Sequence, residues 1–136
     1  MNKVIELIQQ KYGDLCQLCP PLDESKYHLA EKILPVELFE LLKISNGVLE
    51  LMSYPKENDG KPFVISRIIY SFDEMCSESR SFNELYGMEG LVIAGNGAGG
   101  YYIMNDDGTI YLYEYIGEDG EYYADSIRDY ISKLKI

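Results

Sequence analysis

Residues 95–100 read GNGAGG, which places Gly95, Gly97 and Gly100 at the G-x-G-x-x-G spacing of a loop that holds a dinucleotide pyrophosphate. Such a loop works where a helix follows it, because the helix's unpaired N–H groups and its dipole hold the anion. Here the glycines lead into YYIM and then, past NDDG, into TIYLYEYI. Tyrosine and isoleucine favour strand, and Gly108 suits the positive-φ position of a hairpin turn. Past that turn Ile110, Leu112 and Ile116 fall on one face and Tyr111, Tyr113 and Tyr115 on the other, a period of two. The expectation is a loop from strand to strand, in which Cβ-free residues let the backbone pass close to a neighbour, and no nucleotide cofactor.

Other constellations fail on context. Cys16 and Cys19 form a CxxC, but Pro20 and Pro21 follow, where a redox motif would open a helix. A zinc site needs a second ligand pair; only His28 is near, and Cys76 is remote. Three free thiols and no metal are expected. Asp107, Gly108 and Glu114 match positions five, six and twelve of a calcium loop, yet position one would be Ile103, which has no ligand oxygen. His28 reads as a surface histidine in a helix. The carboxylate pairs Asp106–Asp107 and Glu118–Asp119 sit in turns, where solvation keeps them from the raised pKa a general acid needs. No catalytic residue is assigned, and the protein is not expected to be an enzyme.

What stands out is surface chemistry. Twelve Lys and Arg face 23 Asp and Glu, a net charge of −11. Such a chain repels nucleic acid and anionic membranes, and its natural macromolecular partner is basic. Tyrosines cluster between Tyr101 and Tyr123 in company with carboxylates. Tyrosine offers large, rigid contact area with a polar tip, and carboxylates beside it recognise Lys and Arg. The candidate partner-binding residues are Asp106, Asp107, Tyr111, Tyr113, Glu114, Glu118, Asp119 and Glu121. Two plainer readings compete: acidity for solubility, and a tyrosine face covered by a helix.

The elements that must position these groups follow from periodicity. The 136 residues suggest one domain, 1–136. No apolar run approaches a membrane span, and Glu6 interrupts the apolar N-terminus where a secretory signal would be unbroken; a cytoplasmic protein is expected. Residues 3–12 put Val4, Ile5, Ile8 and Tyr12 on one helical face, with Gly13 as a stop. Residues 14–23 read as a loop and 25–32 as a short helix. LPVELFELLKISNG predicts a helix with Pro35 in its first turn, a buried stripe at Leu38, Phe39, Leu41 and Leu42, and Asn46 and Gly47 as its C-terminal cap. Residues 48–54 and 63–70 read as strands joined by the polar loop PKENDGKP. Ser71 and Glu74 form a capping box for a helix ending at Gly87. Strands follow near 91–95, 101–105, 109–116 and 121–124. Ser126 and Asp129 open a last helix with Ile127, Tyr130, Ile131 and Leu134 inward. Hairpin connections imply an antiparallel, mostly meandering sheet of about five to six strands flanked by about four helices, hence α+β.

The order of these pieces resembles the SUKH superfamily, also called the Smi/Knr family. The resemblance rests on Leu34-Pro35 opening a helix that ends near Asn46-Gly47, then Phe72-Asp73-Glu74. It continues with LVIAGNGAGG, carrying Gly95, Gly97 and Gly100, the hairpin around Gly108, and Ala124-Asp125-Ser126 before the last helix. It covers roughly residues 20–134. Unlike many members, the chain has no tryptophan. The resemblance implies a non-catalytic α+β immunity protein that binds and neutralises a cognate toxin, commonly a nuclease. The alternatives are a regulatory interaction module of the same fold and, last, a small enzyme or nucleotide binder. Self-association stays open.

Overall fold

The computed structural model describes residues 2–53 and 61–134. Most of the polar loop PKENDGKP, residues 55–60, lies outside the described residues. Helix α1 (Lys3–Tyr12) starts where Asn2 Oδ1 accepts from the N–H groups of Val4 and Ile5, at 2.9 and 3.2 Å, satisfying two of the free donors of its first turn. Val4, Ile5, Ile8 and Tyr12 are its buried face, and Gly13 ends it at φ +57°. The stretch expected as a loop contains a strand, β1 (Cys16–Leu18), flanked by two 3-10 turns. Helix α2 (Tyr27–Ile33) follows, with His28 exposed on it. Helix α3 (Val36–Ile44) then buries Leu38, Phe39, Leu41 and Leu42 behind Pro35, which stands just ahead of it.

The end of α3 differs from the sequence reading. Its cap is Ser45, whose N–H bonds back to Leu41, and not Asn46 with Gly47. Ser45, fully buried, accepts from the Cys19 N–H at 2.9 Å and donates to the Gly47 carbonyl at 2.7 Å. Asn46 works on a different helix: its Oδ1 accepts from the Phe72 N–H at 2.8 Å, in the first turn of α4 (Phe72–Tyr86). Gly47, at φ +96°, has no room for a side chain, because a Cβ there would lie 2.9 Å from the Ser71 nitrogen. The Asn-Gly pair thus fastens α3, α4 and the sheet together.

Strand β2 (Val48–Met52) pairs with β1 on one side and with β3 (Phe63–Ile69) on the other, in an antiparallel sheet of order β1-β2-β3. Strands β4 (Leu91–Gly95), β5 (Tyr101–Met104), β6 (Ile110–Tyr113) and β7 (Glu121–Ala124) form a second, an antiparallel meander. The architecture is α+β, with five helices and seven strands among the described residues. The strands divide into two sheets where one was expected, and the sheets touch through the Tyr70 N–H donating to the Ile93 carbonyl at 2.8 Å. The capping box of α4 forms as anticipated: Ser71 Oγ accepts from Glu74 N–H and the Glu74 carboxylate accepts from Ser71 N–H, at 3.2 and 3.0 Å. Gly87 closes the helix in the left-handed conformation, φ +69°.

Both faces of the meander are covered in part. Ile110, Tyr102, Met104 and Ala124 join the main core with α1, α3 and helix α5 (Ile127–Lys133). The opposite face sends Val92 and Ile103 against Phe82 of α4 in a smaller cluster. Tyr130 is fully buried, and its hydroxyl donates to the Ile68 carbonyl at 3.0 Å. α5 begins as expected at Ser126, whose Oγ accepts from Asp129 N–H at 3.1 Å. The Asp129 carboxylate reaches one residue further back than a capping box requires and accepts from Asp125 N–H at 2.9 Å. That bond, chiefly, holds its pKa below the usual carboxylate range. No described helix is long and apolar enough to cross a membrane.

Candidate interaction surface

The Gly-rich loop occupies its own donors. Asn96 Oδ1 accepts from the N–H groups of Ala98 and Gly100, at 2.9 and 2.8 Å, which are the groups an anion would need. Strand β5 follows directly, so the loop aims no helix N-terminus at a ligand. Gly97 and Gly99 hold positive φ, +78° and +87°, whereas Gly100 does not. Gly100 is small for a different reason: a Cβ there would sit 2.6 Å from Asn96 Nδ2. Gly95 gives way to the Tyr70 hydroxyl, 2.8 Å from where its Cβ would stand. Cys16, Cys19 and Cys76 are free thiols, and no group of three His, Cys, Asp or Glu among the described residues is placed to hold a metal ion.

The meander's carboxylates are exposed, but they do not form one cluster. Asp106 and Asp107 stand at the β5–β6 hairpin tip. Glu114, Glu118, Asp119 and Glu121 stand around the β6–β7 turn. Successive hairpin turns lie at opposite ends of a meander, so the full length of β6 separates these groups, roughly 13 Å for four residues. Asp107 has a structural duty as well. Its Oδ1 accepts from the Thr109 hydroxyl at 2.6 Å and the Thr109 N–H at 3.0 Å, and these bonds hold its pKa below the ordinary range. Gly108, at φ +90°, completes that turn, its N–H donating to the Asn105 carbonyl.

The tyrosines divide between packing and exposure. Tyr113 and Tyr101 are half-buried under α4, with Tyr113 5.1 Å from Phe82 and 5.5 Å from Tyr86, ring centre to ring centre, both edge-on. Tyr111 is half-buried and meets Tyr122 edge-on at 6.0 Å. Tyr122 is half exposed and donates its hydroxyl to Asp125. Strand β6 stops at Tyr113, short of the expected 116. A turn closed by Glu118 N–H on the Tyr115 carbonyl, with Gly117 at φ +86°, leaves Tyr115 and Ile116 each 65% exposed. Ile116, expected to share a strand face with Ile110 and Leu112, is therefore outside the strand and exposed.

The charge order of the sequence sets this region apart. Between Arg80 and Arg128 there is no Lys or Arg, and there are nine carboxylates: Glu84, Glu89, Asp106, Asp107, Glu114, Glu118, Asp119, Glu121 and Asp125. The other 14 carboxylates are offset by all twelve cations, so this segment carries nine of the eleven net negative charges. All nine are exposed. The ion pairs of the described residues, such as Arg67 with Glu74 at 2.8 Å and Lys26 with Asp73 at 2.6 Å, involve none of them.

The profile of the SMI1/KNR4 family (SUKH-1) matches residues 29–133, from within α2 to the end of α5. The chain belongs to this family. No individually curated protein matches it. The SUKH match spans both acidic turns, the Gly-rich loop and the pairs Leu34-Pro35, Asn46-Gly47 and Asp125-Ser126; α1 and β1 precede it. The SUKH family includes immunity proteins of toxin systems.

Proposed function

We propose that this SUKH protein is an immunity protein: a single, cytoplasmic, non-enzymatic domain without a cofactor that binds and neutralises a cognate basic toxin, most simply a nuclease. The observation that carries the reading is the run of nine exposed carboxylates on and around the meander, none in an ion pair among the described residues. A nuclease must hold phosphates with Lys and Arg. A carboxylate array that matches such a cleft can occupy it, and long-range attraction speeds the encounter by ~10-fold or more over a neutral pair at low salt. Leaving these charges without an ion pair among the described residues raises self-repulsion in the fold, which a partner's cations relieve.

Exposed Tyr115 and Tyr122, with Tyr111 beside them, would supply desolvated contact area within the acidic field. Asp106, Asp107, Glu114, Glu118, Asp119 and Glu121 would steer, and Tyr113 would act from beneath as packing for that face. The test is co-expression with a toxin domain found in an adjacent reading frame. The reading expects restored growth and a complex that survives gel filtration at physiological salt. A partner bound without suppression of toxicity would favour a regulatory interaction module instead.

A further inference from the structure

At the Asp106 end of the meander an open groove of about 890 Å³ runs between α2, α4 and the strand ends of β4 and β5. Leu91 and Met104 form its floor. Ile33, 45% exposed, and Pro35 make one bank, and Cys76 and Arg80 of α4 the other. Leu29, 52% exposed, lies one helical turn before Ile33 on the same side of α2, and Val36, 78% exposed, follows Pro35. The rim carries Glu84, Glu89 and Asp106, all exposed and without an ion pair among the described residues. Arg80 is the single cation of the lining, so the carboxylates exceed it by two.

An apolar floor under an acidic rim has a definite complement. We propose that this groove is the docking site for a peptide segment of a protein partner, one with an apolar anchor side chain flanked by Lys or Arg. The anchor would fill the space over Leu91 and Met104, and the flanking cations would pair with Glu84, Glu89 and Asp106. Arg80 would take a backbone carbonyl of the segment. The inference rests on the immunity reading for the identity of the partner, and it chooses between the two acidic ends of the meander. The Asp106 end borders the groove, which has room for a side chain; Glu114, Glu118, Asp119 and Glu121 do not line it.

Cys76 makes the proposal measurable, because it lies in the groove wall and neither Cys16 nor Cys19 lines the groove. The probe is a synthetic peptide with two leucines between pairs of lysines, set against its glutamate counterpart. Wild-type protein is alkylated with iodoacetamide and each cysteine is followed by peptide mapping. The lysine peptide should slow Cys76 alkylation at least 5-fold, leave Cys16 and Cys19 unchanged, and lose most of its effect in the Glu84→Gln, Glu89→Gln variant. Equal protection by both peptides, or none by the lysine peptide at millimolar concentration, would overturn the groove assignment. The toxin domain then separates the two proposals. An Ile33→Asp, Glu89→Lys variant that is folded by circular dichroism should bind it at least 10-fold more weakly than wild type. If that variant binds like wild type, the groove is wrong and the immunity reading stands. If wild type itself does not bind the toxin domain, the immunity reading fails, and Cys76 protection alone judges the groove.

Discussion

Replacing Tyr130 with Phe tests how the tyrosines are divided between core and surface. In the wild type its hydroxyl is buried and donates to the Ile68 carbonyl at 3.0 Å. The variant keeps the ring and removes the donor, so a buried carbonyl loses its partner at a cost of about 1–2 kcal/mol. For a domain of this length that lowers Tm by roughly 3–8 °C at neutral pH. Alkaline pH narrows the difference. Burial, first, and neighbouring tyrosines push the Tyr130 pKa well above its ordinary 10.0. Its neutral form is then favoured in the folded state, so the contribution to stability is complete below pH 10. It is lost as pH rises from 10 toward the folded-state value, because the unfolded chain releases the proton first. At pH 11 the wild type has given up stability through this one group, which Phe cannot. The stability difference between the two proteins should therefore be smaller at pH 11 than at pH 7, even though Tyr12, pushed up to about 12 by burial, destabilises both. Urea denaturation at pH 7 and pH 11 measures both arms. Equal stability at pH 7 together with the same loss at pH 11 would refute the placement of Tyr130.

Two further outcomes follow from the loops. Gly97→Ala should lower stability by about 1–2 kcal/mol through backbone strain at φ +78° alone, since nothing lies within 4 Å of its Cβ position. In calorimetric titration neither this variant nor the wild type should show saturable binding of NAD, ATP or FAD, and a micromolar dissociation constant for any of them would revive the nucleotide reading. Asn46→Ala should cost about 1 kcal/mol in urea denaturation, because it uncaps α4 and not α3. An unchanged midpoint would mean that water replaces the cap without loss.

The helices were legible because their periods are long enough to repeat. The faces of α1, α3 and α4, the capping box at Ser71 and the stop at Gly87 stand where residue spacing places them. Strand β1 was not legible: three residues hold no period, and their pairing partners, Val48 to Glu50, come some thirty positions later. The end of α3 misled because Asn-Gly is the expected chemistry of a C-terminal cap, while here Asn46 is used across a tertiary contact. Alternation alone continues β6 to Ile116; the turn at Gly117 interrupts it. The acidic residues were individually visible, yet their closeness in sequence suggested a single patch. A meander turns at alternate ends, and that geometry, invisible in composition, splits the patch in two and gives one end a groove.

An acidic meander that steers a basic partner must show itself in the rate of association with a basic toxin domain. Asp106, Glu118, Asp119 and Glu121 are exposed and without an ion pair among the described residues. Asp107 is left in place because it holds Thr109. Changing the four to Lys moves two charges each, from a net −11 to about −3. Stopped-flow mixing at low salt should show association slowed by ~10- to 100-fold. The difference should shrink toward nothing as salt approaches ~1 M, where screening acts over about 3 Å. An association rate equal to wild type at low salt, in a variant of unchanged fold, would contradict the account.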